Sequence, residues 1–247
     1  VVWAGRMRFL SYNIQYGSGR LRRFAWLGFM ARTTRHFPTV QRFVKCVDAD
    51  VVGLVEVDAG SYRTGGRNQA EALASELGYA AVFRNKYAEG SVIGKHLPVL
   101  KQQVNAVLSR PPVVAKRFHE LAHGFKRLVI EVETPEVTVF VAHLALGGRA
   151  RRRQLDDLHD IIVARKKPCI LSGDFNFLRG VWESRLFLKA SGLASANTRG
   201  RATFPSWAPL RELDFVCHSE ELKLDRFRMP NVCLSDHLPL VCDFSLR

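Results

Sequence analysis

Apolar residues recur along this chain in two spacings. Compact apolar runs at Arg8–Ile14 (RFLSYNI), Val51–Val57, Val104–Ser109, Leu128–Glu133, Val137–His143, Pro168–Gly173, Leu213–Cys217 and Pro239–Phe244 predict strands. Between them lie stretches of helical spacing. Phe37–Val47 brings Phe37, Val40, Phe43, Val44 and Val47 near one face, and Asn68–Leu77 predicts a helix ended by Gly78. Arg149–Ala164 predicts a third, with Leu155, Leu158, Ile161 and Ile162 as its buried stripe. Pro135 marks a turn between two strand-like runs and so predicts a hairpin. Many strands with interspersed helices indicate an α/β (α+β) sandwich, and hairpin-like pairs argue against a purely parallel sheet. With no internal repeat or linker, residues 1–247 are expected to form a single domain.

Composition supports a packed core: 47% of the 247 residues are hydrophobic. No apolar run approaches bilayer-crossing length. The sequence begins at Val1 rather than Met, which leaves an N-terminal signal or anchor open. The five cysteines, Cys46, Cys169, Cys217, Cys233 and Cys242, have no zinc-ligand spacing and read as small hydrophobes. That points to a reducing, cytoplasmic setting. A monomer is expected. Charge adds more: 37 Lys and Arg against 23 Asp and Glu give +14. Val1–Val47 contains no acid, and further basic clusters fall at Arg149, Arg151, Arg152, Arg153 and at Arg165, Lys166, Lys167. Such a chain favours a polyanionic partner: nucleic acid, an anionic membrane or a phosphorylated substrate.

The polar residues of interest share a position at or just past the end of an apolar strand. Asn13, Glu56, His143, Asp174 and Asn176 follow such runs, Asp214 opens or interrupts one, and Asp236 and His237 precede one. Strand ends are rigid mounts from which side chains can converge. Taken singly, each has an ordinary reading as a turn former, a cap, a solvated strand end or a core histidine. Together, the carboxylates and amides offer oxygen ligands suited to Mg²⁺, Mn²⁺ or Ca²⁺ rather than zinc, and two histidines offer proton transfer near neutral pH.

The ordered segments SYNIQYG (Ser11–Gly17), VVGLVEVD (Val51–Asp58), NAVLSRPPV (Asn105–Val113), VAHLALG (Val141–Gly147), LSGDFNF (Leu171–Phe177), ELDFVC (Glu212–Cys217) and LSDHLPL (Leu234–Leu240) resemble the motifs of the endonuclease/exonuclease/phosphatase superfamily. The resemblance implies a four-layer sandwich, two mainly antiparallel sheets flanked by helices, with the site at one edge. It implies a metal-dependent phosphoric ester hydrolase. Glu56 would be the main Mg²⁺ ligand, with Asn13 beside it and Asp236 helping. His237 would be the general base, held by Asp214. Asp174 and Asn176 would position water and phosphoryl oxygens, and His143 would donate to a non-bridging or leaving oxygen.

His143, followed by Arg152 and Gln154, resembles the deoxyribonuclease and neutral-sphingomyelinase-like branch rather than the abasic-site endonucleases. In that branch the histidine often has an upstream carboxylate partner, for which Glu89 is a candidate that no motif fixes. The Leu108–Arg110 motif reads as structural. The stretch Gly17–His36 is long for a βα connection. Its apolar centre Phe24–Met30, with Trp26 and Phe29, reads as an interfacial segment for an anionic membrane, a nucleic-acid clamp, or an extra helix on the core. Three hypotheses follow: a nuclease acting on nucleic acid, a phospholipid or small-phosphoester hydrolase, and an inactive binding module on the same fold.

Overall fold

The computed structural model describes residues 5–19, 33–86, 98–177 and 182–247. Its strands are β1 (Arg6–Asn13), β2 (Val51–Asp58), β3 (Ala80–Asn85), β4 (Gln103–Ser109), β5 (Ala115–Glu120), β6 (Leu128–Glu133), β7 (Thr138–His143), β8 (Cys169–Asp174), β9 (Leu193–Ser195), β10 (Asp214–Ser219), β11 (Leu222–Arg228) and β12 (Leu240–Leu246). The helices are α1 (Phe37–Val47), α2 (Gln69–Leu77), the single turn α3 (Pro98–Lys101), α4 (Gly148–Val163) and α5 (Trp182–Ser191).

The strands form two mixed six-stranded sheets, ordered β11-β12-β1-β2-β4-β3 and β5-β6-β7-β8-β10-β9. Each holds one parallel pair, β1 with β2 and β7 with β8, and its other pairs are antiparallel. Alternate residues of the central strands enter two different cores, so these strands read as continuous apolar runs. Phe9, Val51, Val107, Val139, Val141 and Val216 meet between the sheets. Leu10, Val52 and Leu54 face outward and pack on Val40 and Val44 of α1 and Leu73 of α2. Phe140, Leu171 and Phe215 do the same against Leu155, Leu158 and Ile162 of α4 and Phe187 of α5. The result is the expected helix–sheet–sheet–helix sandwich. A Cβ on Gly53 would stand 2.9 Å from Ser172 Oγ and 3.1 Å from the Phe9 ring, so the sheets approach closely there because that position has no side chain.

Two helix boundaries follow from local chemistry. Asn68 accepts from the backbone of Ala70 and Glu71 and starts α2, and Gly78 ends it in the left-handed region. Pro38 sits in the first turn of α1, where its missing N–H goes unneeded.

The topology decides where side chains converge. The C-terminal ends of β1, β2, β7 and β8 lie at one edge of the sandwich. Because β10 and β12 run antiparallel to β8 and β1, their N-terminal ends reach the same edge. The opposite edge carries a charge network. Arg110 pairs with Asp48 and Asp50, and Arg8 with Asp243, so the Leu108–Arg110 motif is structural as expected.

A candidate active site at the converging strand ends

All eight residues singled out from the sequence stand at this edge. Asp174, ending β8, is central: its Oδ2 lies 3.3 Å from Asn13 Nδ2, 3.3 Å from His143 Nε2 and 3.9 Å from His237 Nε2. Its Oδ1 accepts from the backbone N–H of Asn176. Asn176 has a positive φ of 53°, tolerable for an asparagine, and donates its amide to Leu144 O at the end of the neighbouring strand. Asp214 opens β10, and its Oδ2 lies 2.7 Å from Nδ1 of His237. His237 Nε2 stands 3.9 Å from Asp236. Ser235 fixes this corner, donating to Asn13 O and accepting from the His237 backbone.

Glu56 is aimed by its backbone. The register of β2 against β4 shifts between Leu54 and Val57, and Glu56 within that bulge has φ 56°. A bulge re-aims one side chain, at the cost of a sparsely populated conformation. Its Oε1 lies 4.0 Å from His143 Nε2, which joins the two sheets' contributions into one site.

Two lysines complete the edge. Lys86 follows β3, and Lys126 precedes β6. Their Nζ atoms stand 4.0 Å and 3.9 Å from Glu56. Lys126 is also in hydrogen-bond contact with Nε2 of His143. Lys86 is buried and donates to Tyr16 OH, which donates to Gln103. Arg63, paired with Asp58, lies over the Tyr16 ring. Neither lysine stands out among the candidates that the sequence offers. The same strand-end rule would have found them, had β3 been recognised and the residues just before β6 considered.

The electrostatics follow from burial and these contacts. Burial opposes a charged His237, but Asp214, with Asp174 and Asp236 behind it, overrides burial and raises its pKa to about 10. Burial lifts Asp174 to about 7 against the pull of His237, and lifts Asp236 to about 6. Burial would also lift Glu56, but Lys86 and Lys126 hold it below its ordinary value. Burial, and then Lys126 and Lys86, keep His143 well below the usual histidine range. Burial lowers Lys86 to about 7. Nδ1 of His143 has no hydrogen-bond partner among the described residues, and Glu89, the expected partner, lies outside them.

Among the described residues no three His, Cys, Asp or Glu side chains form a ready-made metal cage. Mg²⁺ binds through one or two carboxylates and keeps waters and substrate phosphate as its other ligands. The donors near Glu56, namely Asn13 and Asp236, are oxygens of the hard type it prefers.

Arg151 does not belong to a surface basic cluster. It is fully buried, paired with Glu183 at 3.0 Å, and donates to the carbonyls of Ala145 and Leu146. Arg149, Arg152 and Arg153 are exposed. The stretch Gly17–His36 is described only at its two ends, and Phe24–Met30, with Trp26 and Phe29, lies outside the described residues.

Two sheets back to back, with an Asp–His pair and a ring of carboxylates at one edge, place this chain in a class that known proteins define. The profile of the Endonuclease/Exonuclease/phosphatase family matches residues 10–237, and the chain belongs to that family. Members are hydrolases of phosphoesters, and the family is generally dependent on divalent metal. Three solved structures illustrate the likeness of fold. An endonuclease/exonuclease/phosphatase from Beutenbergia cavernae is 22% identical with a TM-score of 0.73, covering 98% of this chain and 72% of its own. The human nocturnin catalytic domain with bound sulfate is 22% identical with a TM-score of 0.70, covering 100% and 97%. A mannosyl-6-phosphatase from Bacteroides thetaiotaomicron is 15% identical with a TM-score of 0.70, covering 97% and 100%. No curated protein sequence matches the chain.

Proposed function

We propose that this chain hydrolyses a phosphodiester by divalent-metal- and histidine-assisted attack of water, in the manner of the deoxyribonuclease-like branch, with nucleic acid as first-choice substrate. The observation that carries the reading is the His237–Asp214 pair at 2.7 Å, whose free Nε2 faces Asp174 and Asp236. Asp214 accepts from Nδ1–H and so fixes the tautomer that leaves Nε2 to take a proton from water. Asp174 and Asn176 hold that water and the phosphoryl oxygens. His143, uncharged at neutral pH, accepts at Nε2 from Lys126 and so holds that ammonium as a donor to a non-bridging or leaving oxygen; His143 itself would donate there in its other tautomer, with Lys126 turned to the phosphate. Glu56, with Asn13 and Asp236 beside it, would hold Mg²⁺, Mn²⁺ or Ca²⁺. When bound, such a cation supplies Lewis-acid neutralisation of charge on the phosphoryl group. Asp214, Asp174 and Asp236 favour the protonated form of the His237 ring, which makes it a strong base toward a bound water.

The net charge of +14 favours a polyanion over a small phosphoester of one or two charges. A sugar phosphate, by analogy with the mannosyl-6-phosphatase of the same fold, and a phospholipid are the competing outcomes. The test is turnover with Mg²⁺ or Mn²⁺ on DNA, RNA, phosphorylated ends, sphingomyelin and inositol phosphates. Cleavage of nucleic acid, weakening steeply with salt, is expected. Turnover confined to lipid or sugar phosphate would replace the substrate assignment, and no turnover of any of them would leave an inactive binding module.

A further inference from the structure

Beside the site, two loops present apolar side chains to solvent. Phe125, between β5 and β6, is 65% exposed, and Leu146, just after β7, is 59% exposed. The loops are fastened to each other. Gln154 of α4 is fully buried, accepts from Ala145 N at 2.8 Å, and donates to His123 O and Lys126 O at 2.6 and 2.7 Å. Asp157 accepts from Ala122 N at 2.7 Å, and Arg151 donates to Leu146 O at 2.9 Å. A Cβ on Gly124 would stand 2.9 Å from Gln154 Nε2 and 3.2 Å from the Ala145 Cβ, so the Phe125 loop packs closely on both. Phe125 and Leu146 are therefore held outward by a built frame.

Basic residues flank them. Arg149 and Arg153 are exposed in the first two turns of α4, and Arg153 reaches to 3.5 Å of His123 in the Phe125 loop. Cations at a helix N-terminus oppose its dipole, so local helix stability does not account for them. The neighbour of Phe125, Lys126, points inward and touches His143. An exposed aromatic, an aliphatic tip and two guanidinium groups thus lead directly to the reacting centre.

We infer that Phe125, Leu146, Arg149 and Arg153 form the binding platform for an unpaired, single-stranded segment of nucleic acid leading into the site. The inference rests on the phosphodiesterase reading and specifies its substrate. Phe125 stacks on one base, Leu146 lies against the adjoining sugar, and the arginines follow the phosphates. A lone aromatic on a loop meets the open face of an unpaired base at no unstacking cost, whereas wedging into a duplex costs a few kcal/mol per step. Two apolar tips offer much less area than the full apolar helix face of an interfacial anchor, which favours a nucleic-acid strand over a lipid surface.

The test measures binding by anisotropy, in EDTA, of a short fluorescein-labelled oligothymidylate, of the same strand annealed to its complement, and of fluorescent phosphatidylserine–phosphatidylcholine vesicles. Alongside it, hydrolysis of bis(p-nitrophenyl) phosphate with Mg²⁺ or Mn²⁺ reports the site itself. Single strand is expected to bind more tightly than duplex. Phe125→Ala is expected to weaken it about tenfold, the loss of one stacked base, with turnover of the small diester unchanged. Arg149→Gln and Arg153→Gln should each flatten the salt dependence, by about 0.7 in log–log slope. Equal binding of single strand and duplex, or unchanged binding by Phe125→Ala, overturns the platform. Loss of vesicle rather than oligonucleotide binding in Phe125→Ala overturns it in favour of lipid. Absence of small-diester turnover in the wild type fails the phosphodiesterase reading separately, since the binding comparison does not use it.

Discussion

Gln154 holds together the two loops that flank the candidate site, and replacing it by leucine tests whether that frame matters. The shape is nearly conserved, but three hydrogen bonds are lost: one from Ala145 N and two to the carbonyls of His123 and Lys126. The Ala145 N–H is buried, so leaving it unsatisfied costs about 1–3 kcal/mol. The two carbonyls are part-buried and regain some water, so each costs less, about 1 kcal/mol. The expected destabilisation is about 3–5 kcal/mol, within the roughly 5–15 kcal/mol of an ordinary domain, so the variant should still fold. Released from Gln154, the Lys126 backbone is no longer registered to the end of β7, and the contact of Lys126 with His143 loosens. Urea denaturation should show the lost stability, and hydrolysis of a small phosphodiester should show a fall in kcat. Gln154→Glu should be worse at neutral pH, because a carboxylate oxygen then faces two carbonyl oxygens, and it should recover as the pH falls. A Gln154→Leu protein within about 1 kcal/mol of wild type, with unchanged kcat, would refute the reasoning.

Other consequences follow from named contacts. Burial raises Asp236 to about 6 in the folded protein, above the value near 3.9 of an unfolded aspartate. The unfolded chain therefore loses this proton first as pH rises, and the native state gives up stability between about pH 4 and 6. In EDTA, Asp236→Asn should match wild type near pH 4 and exceed it at pH 8 by about 3 kcal/mol, at 1.36 kcal/mol per pKa unit; a variant no more stable at pH 8 removes the claim. Gly173 has φ 137°, and a Cβ there would stand 1.8 Å from Ala142 O, so Gly173→Ala should be expressed largely unfolded; a thermal midpoint near wild type would contradict this. Asp58→Asn leaves Arg63 buried beside Tyr16 with its charged partner gone. It should cost about 3–5 kcal/mol in denaturant unfolding, and a loss below about 1 kcal/mol would show the pair to be dispensable.

The strands read from the sequence are the central ones. Those missed, β3, β5, β9 and β11, are the four sheet edges. Central strands bury both faces and form continuous apolar runs, whereas β5 (AKRFHE) and β11 (LKLDRFR) expose much of their length and carry charges. Charged edges deter pairing with other chains, and they also erase the apolar pattern that identifies a strand. The eight candidate residues were legible because each adjoins a central strand. Lys86 was hidden because it follows an edge strand, and Lys126 because nothing in HGFKR, ahead of β6, sets it apart from the basic residues beside it. The bulge that aims Glu56 left no signal in VVGLVEVD, since it depends on the register against β4. Arg151 looked like its neighbours in RARRR, and only the helix phase separates it, turning it inward to Glu183.

The most direct test of the account is the metal dependence of phosphodiester hydrolysis in wild type, His237→Ala and Glu56→Gln, each first shown by circular dichroism to be folded. The account predicts wild-type turnover that appears with Mg²⁺ or Mn²⁺ and vanishes in EDTA. It predicts a loss of about 10²–10⁴-fold in His237→Ala and a higher Mg²⁺ requirement in Glu56→Gln. Wild-type rates in His237→Ala, or a Mg²⁺ dependence untouched in Glu56→Gln, would contradict it.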